Sequence, residues 1–163
     1  QKIINVNLIG VMNSISVCLS QMRKQNYGRI ITLTGGGADR PVPNMSLYSA
    51  SKGGVVAFSK CLAEEFESTS EDFKINIFHP GMLKTHLTTE IEVVPNWESK
   101  EKIEQQTKMA LDYMGGNIEK SVSSVIPYIK PSCSKNGKLF RGFSLFKLIF
   151  GAIKLQRKLR KMK

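Results

Sequence analysis

Tyr48 and Lys52 are the residues of this sequence best suited to proton chemistry. If the segment is helical, a spacing of four residues puts both side chains on one face, with the Lys52 ammonium near the Tyr48 phenol. A free tyrosine has a pKa of about 10, and a nearby cation favours the phenolate and lowers that pKa. Such a phenol can exchange a proton with a substrate oxygen near neutral pH. The alternative is an ordinary pair on a solvated helix, because a Y-x-x-x-K spacing arises easily by chance.

Two further segments flank this pair in the chain. Residues 4–10 have the sequence I-N-V-N-L-I-G and include Asn7, and residues 79–85 have the sequence H-P-G-M-L-K-T. Together with S-L-Y-S-A-S-K-G-G-V at 46–55, these segments resemble the active-site motifs of the short-chain dehydrogenase/reductase family, in the family's order. The resemblance is clear over residues 1 to about 90 and fainter from about 110 to 141.

This resemblance implies a nicotinamide-dependent oxidoreductase that interconverts an alcohol and a carbonyl by hydride transfer. The cofactor would be NAD or NADP, and the substrate a small-molecule alcohol or carbonyl compound. By the same resemblance, Tyr48 is the acid/base, Lys52 lowers its pKa and binds the cofactor ribose, and Asn7 helps to hold a proton-relay water. The residues that it places at the cofactor are Tyr48, Lys52, Pro80, Gly81, Leu83 and Thr85.

One position departs from the family's pattern. The family usually has a serine thirteen residues before the tyrosine, where it hydrogen-bonds the substrate oxygen, and here that residue is Gly35. Thr34 is the candidate replacement, as a catalytic hydroxyl at the end of a predicted strand, and Ser46 is a second candidate. The alternative is that Thr34 is only a strand residue and the site lacks its third hydroxyl, a loss that can cost ~10²–10³ in rate.

Other residue clusters are not predicted to be sites. The run Gly35-Gly36-Gly37 fits neither the G-x-G-x-x-G nor the G-x-x-x-x-G-K-[ST] pattern, so we predict a loop that passes close to a ligand. No metal site is expected, because the three cysteines and two histidines lack ligand spacing. His79 and His86 are predicted to be structural.

The elements that must position these residues follow from hydrophobic periodicity. Alternating helices and buried strands predict an α/β fold, a partial Rossmann-like doubly wound parallel sheet corresponding to a C-terminal half. Only three strands are predicted, so we expect a fragment that is inactive by itself. The long polar segment 86–115, with one helix and Trp97, could form a lid. The predicted helices cover 3–24 (largely buried and ending at Gly28), 46–68 and 117–129 (with Asn117 as N-cap), and the strands cover 29–34, 73–78 and a short run after 136–138.

The C-terminal quarter differs from the rest of the chain in charge. Residues 1–119 have a net charge of −1, whereas residues 120–163 hold 12 Lys/Arg and no acid. We therefore predict a Rossmann-type domain over 1–141 and an apolar-then-basic extension over 142–163 that forms an amphipathic basic helix. Peripheral membrane contact through 143–163 is one interpretation, and a helix packed on the body or on a partner subunit is the other. Nucleic-acid binding is not expected, because no aromatic residue lies within the basic cluster.

Cellular location and assembly are predicted from weaker signals. Three scattered cysteines, the lack of a signal-peptide pattern and the lack of an apolar run of 18 or more residues predict a cytoplasmic protein, membrane-associated if the basic C-terminus binds lipid. Family analogy predicts a homo-oligomer built on the two long helices. The alternative function is a degenerate family member that acts as a binding or membrane-associated interaction protein; Gly35 and the tail favour it, and Asn7, Tyr48 and Lys52 oppose it.

Overall fold

The computed structural model describes residues 1–40, 42, 44–90 and 99–161. It divides into two compact units, the first made of residues 1–80 and 124–141 and the second of 81–123 and 142–163. Its elements, in chain order, are α1 (Lys2–Ile4), a π-helical segment (Asn5–Ile9), α2 (Gly10–Gln25), β1 (Tyr27–Leu33), α3 (Ser46–Glu67), β2 (Asp72–His79), α4 (His86–Thr89), α5 (Lys100–Met114), α6 (Ile118–Ser123), a 3-10 turn (Ile126–Tyr128), β3 (Leu139–Arg141) and α7 (Leu145–Lys161).

The first unit contains a parallel sheet with the strand order β1-β2-β3. Tyr27 pairs with Asp72 at one end of the β1–β2 ladder, and the same register continues to Leu33 and Phe78. The central strand β2 is buried at Phe73 and from Ile75 to Phe78, as the interior of a parallel sheet covered by helices should be. The predicted α/β class with a parallel sheet is therefore confirmed.

The core of this unit lies where α2 and α3 pack on the sheet. The Phe66 and Phe73 rings meet edge to face, with centroids 5.4 Å apart. Burying one such large apolar side chain stabilises the fold by about 1.5–3 kcal/mol relative to its exposure. This packing fixes α3 on the sheet and so fixes the direction of its first turns. The buried core residues are Ile15, Met22, Leu62, Ala63, Phe66, Phe73 and Ile75.

The first helical stretch is much less buried than predicted. Of the residues of α2, only Ile15 and Met22 are buried, whereas Val17 is 75% exposed. The physical reason is that β1 is the edge strand of the described sheet, so no strand among the described residues lies beyond it to cover this helix. The stretch Lys2–Gln25 is long and apolar enough to cross a membrane, but core helices of soluble proteins have the same length and composition.

Two predicted helix boundaries also differ from the structure. Asn26, with φ of 53°, ends α2, and Gly28 lies instead inside β1 beneath the Met22 side chain. The predicted helix over 117–129 is divided into α6 and the 3-10 turn, which contains Pro127, a residue without an amide hydrogen for a helical hydrogen bond. The predicted N-cap is confirmed, since Asn117 Oδ1 accepts a 2.7 Å hydrogen bond from the Lys120 amide.

The second unit is helical, and α7 packs on α5. Gly151 of α7 is buried so closely that a Cβ there would overlap the Tyr113 carbonyl oxygen of α5. The predicted C-terminal helix is thus confirmed, and the segment predicted to hold one helix holds both α4 and α5. Trp97 lies outside the described residues, and the domain boundary at 141 stays a prediction.

Candidate active site

The candidate site lies at the carboxyl end of β1, beside the first turns of α3. The Thr34 amide donates a 3.0 Å hydrogen bond to the Phe78 carbonyl, which extends the β1–β2 ladder and fixes the backbone of Thr34. The triglycine loop follows directly. Ligands of open α/β sheets bind outside the carboxyl ends of the strands, so this is the edge at which a site is expected.

The phenol of Tyr48 lies directly against Gly35. A Cβ built on Gly35 would overlap the Tyr48 hydroxyl oxygen and lie 3.3 Å from Cζ of the ring. A serine at position 35 is therefore incompatible with this position of the Tyr48 side chain. Glycine at this position, where the family usually has serine, therefore leaves free the space that the Tyr48 hydroxyl occupies.

Tyr48 and Lys52 are both half-buried on the same side of α3. The Lys52 Nζ lies 5.9 Å from the centre of the Tyr48 ring and donates a 3.1 Å hydrogen bond to the Leu33 carbonyl oxygen. Burial raises the pKa of Tyr48 above its ordinary value of 10.0, and burial lowers the pKa of Lys52. The predicted lowering of the Tyr48 pKa by Lys52 is therefore opposite to the direction found, because desolvation of the phenol is the largest influence on it.

Asn7 is tied to the Tyr48 turn through a buried serine that the sequence did not single out. The Asn7 Nδ2 donates to Ser51 Oγ at 3.2 Å, and Ser51 Oγ donates to the Tyr48 carbonyl oxygen at 2.7 Å. Ser51 is fully buried. Asn7 itself lies in the π-helical segment, a distortion that is frequent at functional sites. The three predicted residues thus lie in one unit: Tyr48 and Lys52 are on the first turns of α3, and Asn7 is on the π-helical segment that contacts α3 through Ser51.

The hydroxyl of Thr34 is buried and has no hydrogen-bond partner among the described residues. Thr34 as a whole is 3% exposed. A buried hydroxyl without a partner costs roughly 1–3 kcal/mol, so such groups are rare unless a ligand or water completes them. Ser49 Oγ, which the sequence did not single out, is a second unpartnered hydroxyl and lies beside Gly37. Ser46, the other predicted hydroxyl, is exposed at the start of α3.

The segment after β2 begins in the first unit at Pro80 and continues in the second. Gly81 has φ of 89°, a left-handed conformation that favours glycine, and packs on the Phe143 ring. The Leu83 carbonyl oxygen accepts a 2.9 Å hydrogen bond from Thr88 Oγ1. Thr85 is the N-cap residue of α4. These contacts give the predicted cofactor segment a defined backbone.

The two histidines occupy different environments. Burial lowers the pKa of His79, and the neighbouring Arg141 lowers it further, while Asp39 raises it. His86 is exposed on α4 and pairs with Glu90 at 3.0 Å. Within the described ranges, no three His, Cys, Asp or Glu side chains form a cluster that could hold a metal ion.

An open cavity of about 930 Å³ lies in the first unit between α2 and the outer edge of β1. Its lining includes Asn7, Lys52 and Leu33. The cavity extends along the edge of β1 that no described strand covers, as far as Tyr27, and its lining includes neither Tyr48 nor Thr34, so its volume does not mark the ligand site.

Comparison with known protein sequences identifies one matching family and several relatives. Residues 1–94 match the family model described as short chain dehydrogenase. The chain is 34% identical over 95 residues to a 3-oxoacyl-[acyl-carrier-protein] reductase of Synechocystis sp., covering 58% of this chain and 38% of that protein. It is 29% identical over 116 residues to the NADP-dependent (R)-specific alcohol dehydrogenase of Lentilactobacillus kefiri, covering 71% and 44%. The chain thus spans less than half the length of these relatives.

Comparison with solved structures supports the same fold. The actinorhodin polyketide ketoreductase with NADPH has a TM-score of 0.66 and 23% identity, with coverage of 83% of this chain and 54% of that one. The gluconate 5-dehydrogenase from Burkholderia cenocepacia in complex with NADP and tartrate also has a TM-score of 0.66, at 20% identity, with coverage of 83% and 51%. At these identities the likeness shows the fold alone, and it confirms the predicted Rossmann-like α/β class.

Proposed function

This chain belongs to the short-chain dehydrogenase family, and we propose that it holds the acid/base residues of a nicotinamide-dependent oxidoreductase that interconverts an alcohol and a carbonyl. The observation that carries this proposal is the arrangement at the end of β1. There the Tyr48 hydroxyl lies against Gly35, and Asn7 is joined to the same turn through Ser51. The names of the two curated relatives, a reductase and an alcohol dehydrogenase, support this substrate class.

Tyr48 is the proposed proton donor to the substrate oxygen. Because burial raises the pKa of its phenol, the side chain is protonated at neutral pH and is ready to act as a general acid. This state suits reduction of a carbonyl, in which the developing alkoxide takes a proton. The reverse reaction requires the phenolate and should be favoured by high pH.

Thr34 is the proposed second hydrogen-bond donor to that oxygen, in the role usually taken by serine. The backbone that carries this hydroxyl is fixed by the hydrogen bond to Phe78, and the hydroxyl has no competing partner in the described part of the chain, so it is free to donate. Donors that are fixed before the reaction stabilise developing negative charge at little reorganisation cost. Asn7 is proposed to hold a relay water, as the family resemblance implies.

A nicotinamide cofactor, NAD or NADP, would supply the hydride when bound. The residues present fit such a group, because Lys52 lies at the carboxyl end of the sheet and uses one of its three donors on the Leu33 carbonyl. Its remaining donors are proposed to reach the cofactor ribose. The other residues proposed to contact the cofactor are Tyr48, Pro80, Gly81, Leu83 and Thr85.

The function is tested on the gene product that contains these residues. Titration with NADH and NADPH, followed by cofactor fluorescence, should show saturable binding of at least one, and a panel of aldehydes, ketones and 3-oxoacyl thioesters should show reductase turnover. We propose that the 163 residues alone lack turnover, because they contain no glycine-rich phosphate-binding pattern. Absence of both binding and turnover in the gene product would reject the oxidoreductase.

That negative result would instead favour the second candidate, a degenerate family member that acts as an interaction protein. The observation that supports this candidate is the exposed apolar face of α7, described below. A cytoplasmic location is proposed on the three cysteines, all of which are free thiols. A homo-oligomer built on the two long helical stretches is proposed by family analogy.

A further inference from the structure

The C-terminal helix α7 packs on α5 through the face that contains Gly151. On that face lie the buried Gly151, Lys147, whose Nζ donates a 2.8 Å hydrogen bond to the Gly115 carbonyl, and Lys158, whose Nζ lies 5.9 Å from the centre of the Tyr113 ring. Positions 147, 151 and 158 recur at helical spacing, so they form one stripe. The helix is therefore held to its unit by the buried Gly151, by two lysines and by Leu148 and Leu155, which are half-buried at i−3 and i+4 from Gly151.

The opposite face of α7 is apolar and exposed. Its residues recur at i, i+3, i+4 and i+7, which places them side by side over two turns. Isolated exposed apolar residues are ordinary, but a contiguous apolar stripe on a helix marks a surface that contacts something. The side chains and their exposed fractions are Phe146 77%, Ile149 54%, Phe150 61% and Ile153 41%.

Positively charged side chains extend the apolar stripe of α7 toward the C-terminus and also lie beside it. Arg157 and Arg160 follow at i+11 and i+14 from Phe146, so they extend the exposed stripe. Lys154 lies beside the stripe, and its aliphatic stem can lie along apolar surface while the ammonium reaches polar groups. Residues 120–163 contain 12 Lys/Arg and no acidic residue, so this end of the chain offers no partner for its own charges.

We propose that this face of α7 binds peripherally to an anionic lipid bilayer. The apolar stripe would enter the boundary between headgroups and acyl chains, and the arginines and lysines would pair with anionic headgroups. The helix has 17 residues, and lysines interrupt its apolar stretch, so it lies in the interface and does not span the bilayer. A second copy of the chain is a poorer occupant, because two such faces would bring like charges together without an acid to pair them.

The test is flotation of the full chain with vesicles of phosphatidylcholine alone or mixed with phosphatidylserine. We expect binding to the mixed vesicles, weakening as salt is raised, and little binding to phosphatidylcholine alone. Replacing Phe146 and Phe150 together by Ser should lower the partition coefficient at least about tenfold. Replacing Arg157 and Arg160 together by Gln should lower it about fivefold for each charge removed.

Leu87→Ser is the matched control, because Leu87 is 80% exposed but lies on α4, outside the stripe. It should leave binding unchanged, and circular dichroism should show equal helix content in all variants. Lack of binding to the anionic vesicles, or binding that neither double substitution weakens, would overturn the proposal. So would a self-associated species that the double Phe substitution dissociates while vesicle binding stays absent. The assay uses neither cofactor nor substrate and is independent of the proposed function.

Discussion

The helices α3 and α7 are both long and amphipathic, but α3 buries large apolar side chains in its unit, whereas α7 leaves an apolar stripe exposed. In α3, Val55, Leu62 and Phe66 are buried in the first unit, and this packing fixes Tyr48 at the end of β1. In α7, Gly151 is buried, whereas the stripe of Phe146, Ile149, Phe150 and Ile153 is exposed. Helical periodicity predicts that a helix has an apolar face, but whether that face is buried depends on the elements that pack against it. We therefore expect substitutions near the start of α3 to change chemistry and substitutions on α7 to change association.

The largest effect among these predictions is expected at Thr34. Thr34→Val keeps the shape of the side chain and removes the hydroxyl, so turnover in the gene product should fall ~10²–10³-fold. The free energy of unfolding should stay equal or rise by up to about 1 kcal/mol, because the lost hydroxyl had no partner in the described residues. Steady-state kinetics and urea denaturation measure the two quantities. A destabilised protein with unchanged turnover would make Thr34 a structural residue only.

A smaller loss of turnover is expected at Gly35. Gly35→Ser restores the residue that the family usually has, yet its Cβ would overlap the Tyr48 hydroxyl and displace it. Misplacement of a catalytic group by about 1 Å can cost roughly 10²-fold, so kcat should fall by that order. Gly35→Ala introduces the same Cβ without the hydroxyl and should behave alike. Faster turnover in Gly35→Ser than in the natural protein would show that Tyr48 moves aside freely and that the site accepts the usual serine.

The dependence on pH should separate the two reaction directions. Since burial raises the pKa of Tyr48 above 10.0, the protonated phenol persists through neutral and moderately alkaline pH. Carbonyl reduction should therefore be level across that range and decline only above pH 10, as the proton donor is lost. Alcohol oxidation needs the phenolate and should rise with pH over the same range. Initial rates in both directions measure this, and a decline of reduction near pH 7 would mean that the Tyr48 pKa is lowered in the working enzyme.

The smallest effect is expected on the outer face of α7. Phe146→Ser together with Phe150→Ser should change the free energy of unfolding by no more than about 0.5 kcal/mol for each substitution, because both side chains are exposed. Turnover should be unchanged for the same reason. Urea denaturation and steady-state kinetics check both. Lower stability or activity would indicate that this face packs against the protein and would remove the contrast with α3.

Much of the arrangement was predictable from local patterns. Buried β-branched runs predicted β1 and β2, and the spacing of Tyr48 and Lys52 predicted that both would share a side of α3. Motif order predicted that Asn7 belongs to the same site. These features depend on neighbours within a few residues or on a pattern shared by a family, so a single sequence carries them.

The rest depended on contacts between distant residues. The direction of the Tyr48 pKa shift follows from the burial of its phenol, and the close approach of that phenol to Gly35 joins two positions thirteen residues apart. Ser51 gave no signal, because a serine in a helix acquires its role only when Asn7 approaches it. The exposure of α2 likewise depends on what lies beyond β1. The predicted role of Trp97 and the segment 86–115 as a lid stays a prediction.

The most direct test of the proposed acid/base site is the turnover of Tyr48→Phe in the gene product that contains these residues. Phe keeps the ring and its packing in α3 and removes only the hydroxyl that lies against Gly35. We predict that carbonyl reduction falls by at least about 10²-fold while the dissociation constant for the nicotinamide cofactor stays nearly unchanged. Reduction at the natural rate in Tyr48→Phe would contradict the account, because the proton would then come from another group.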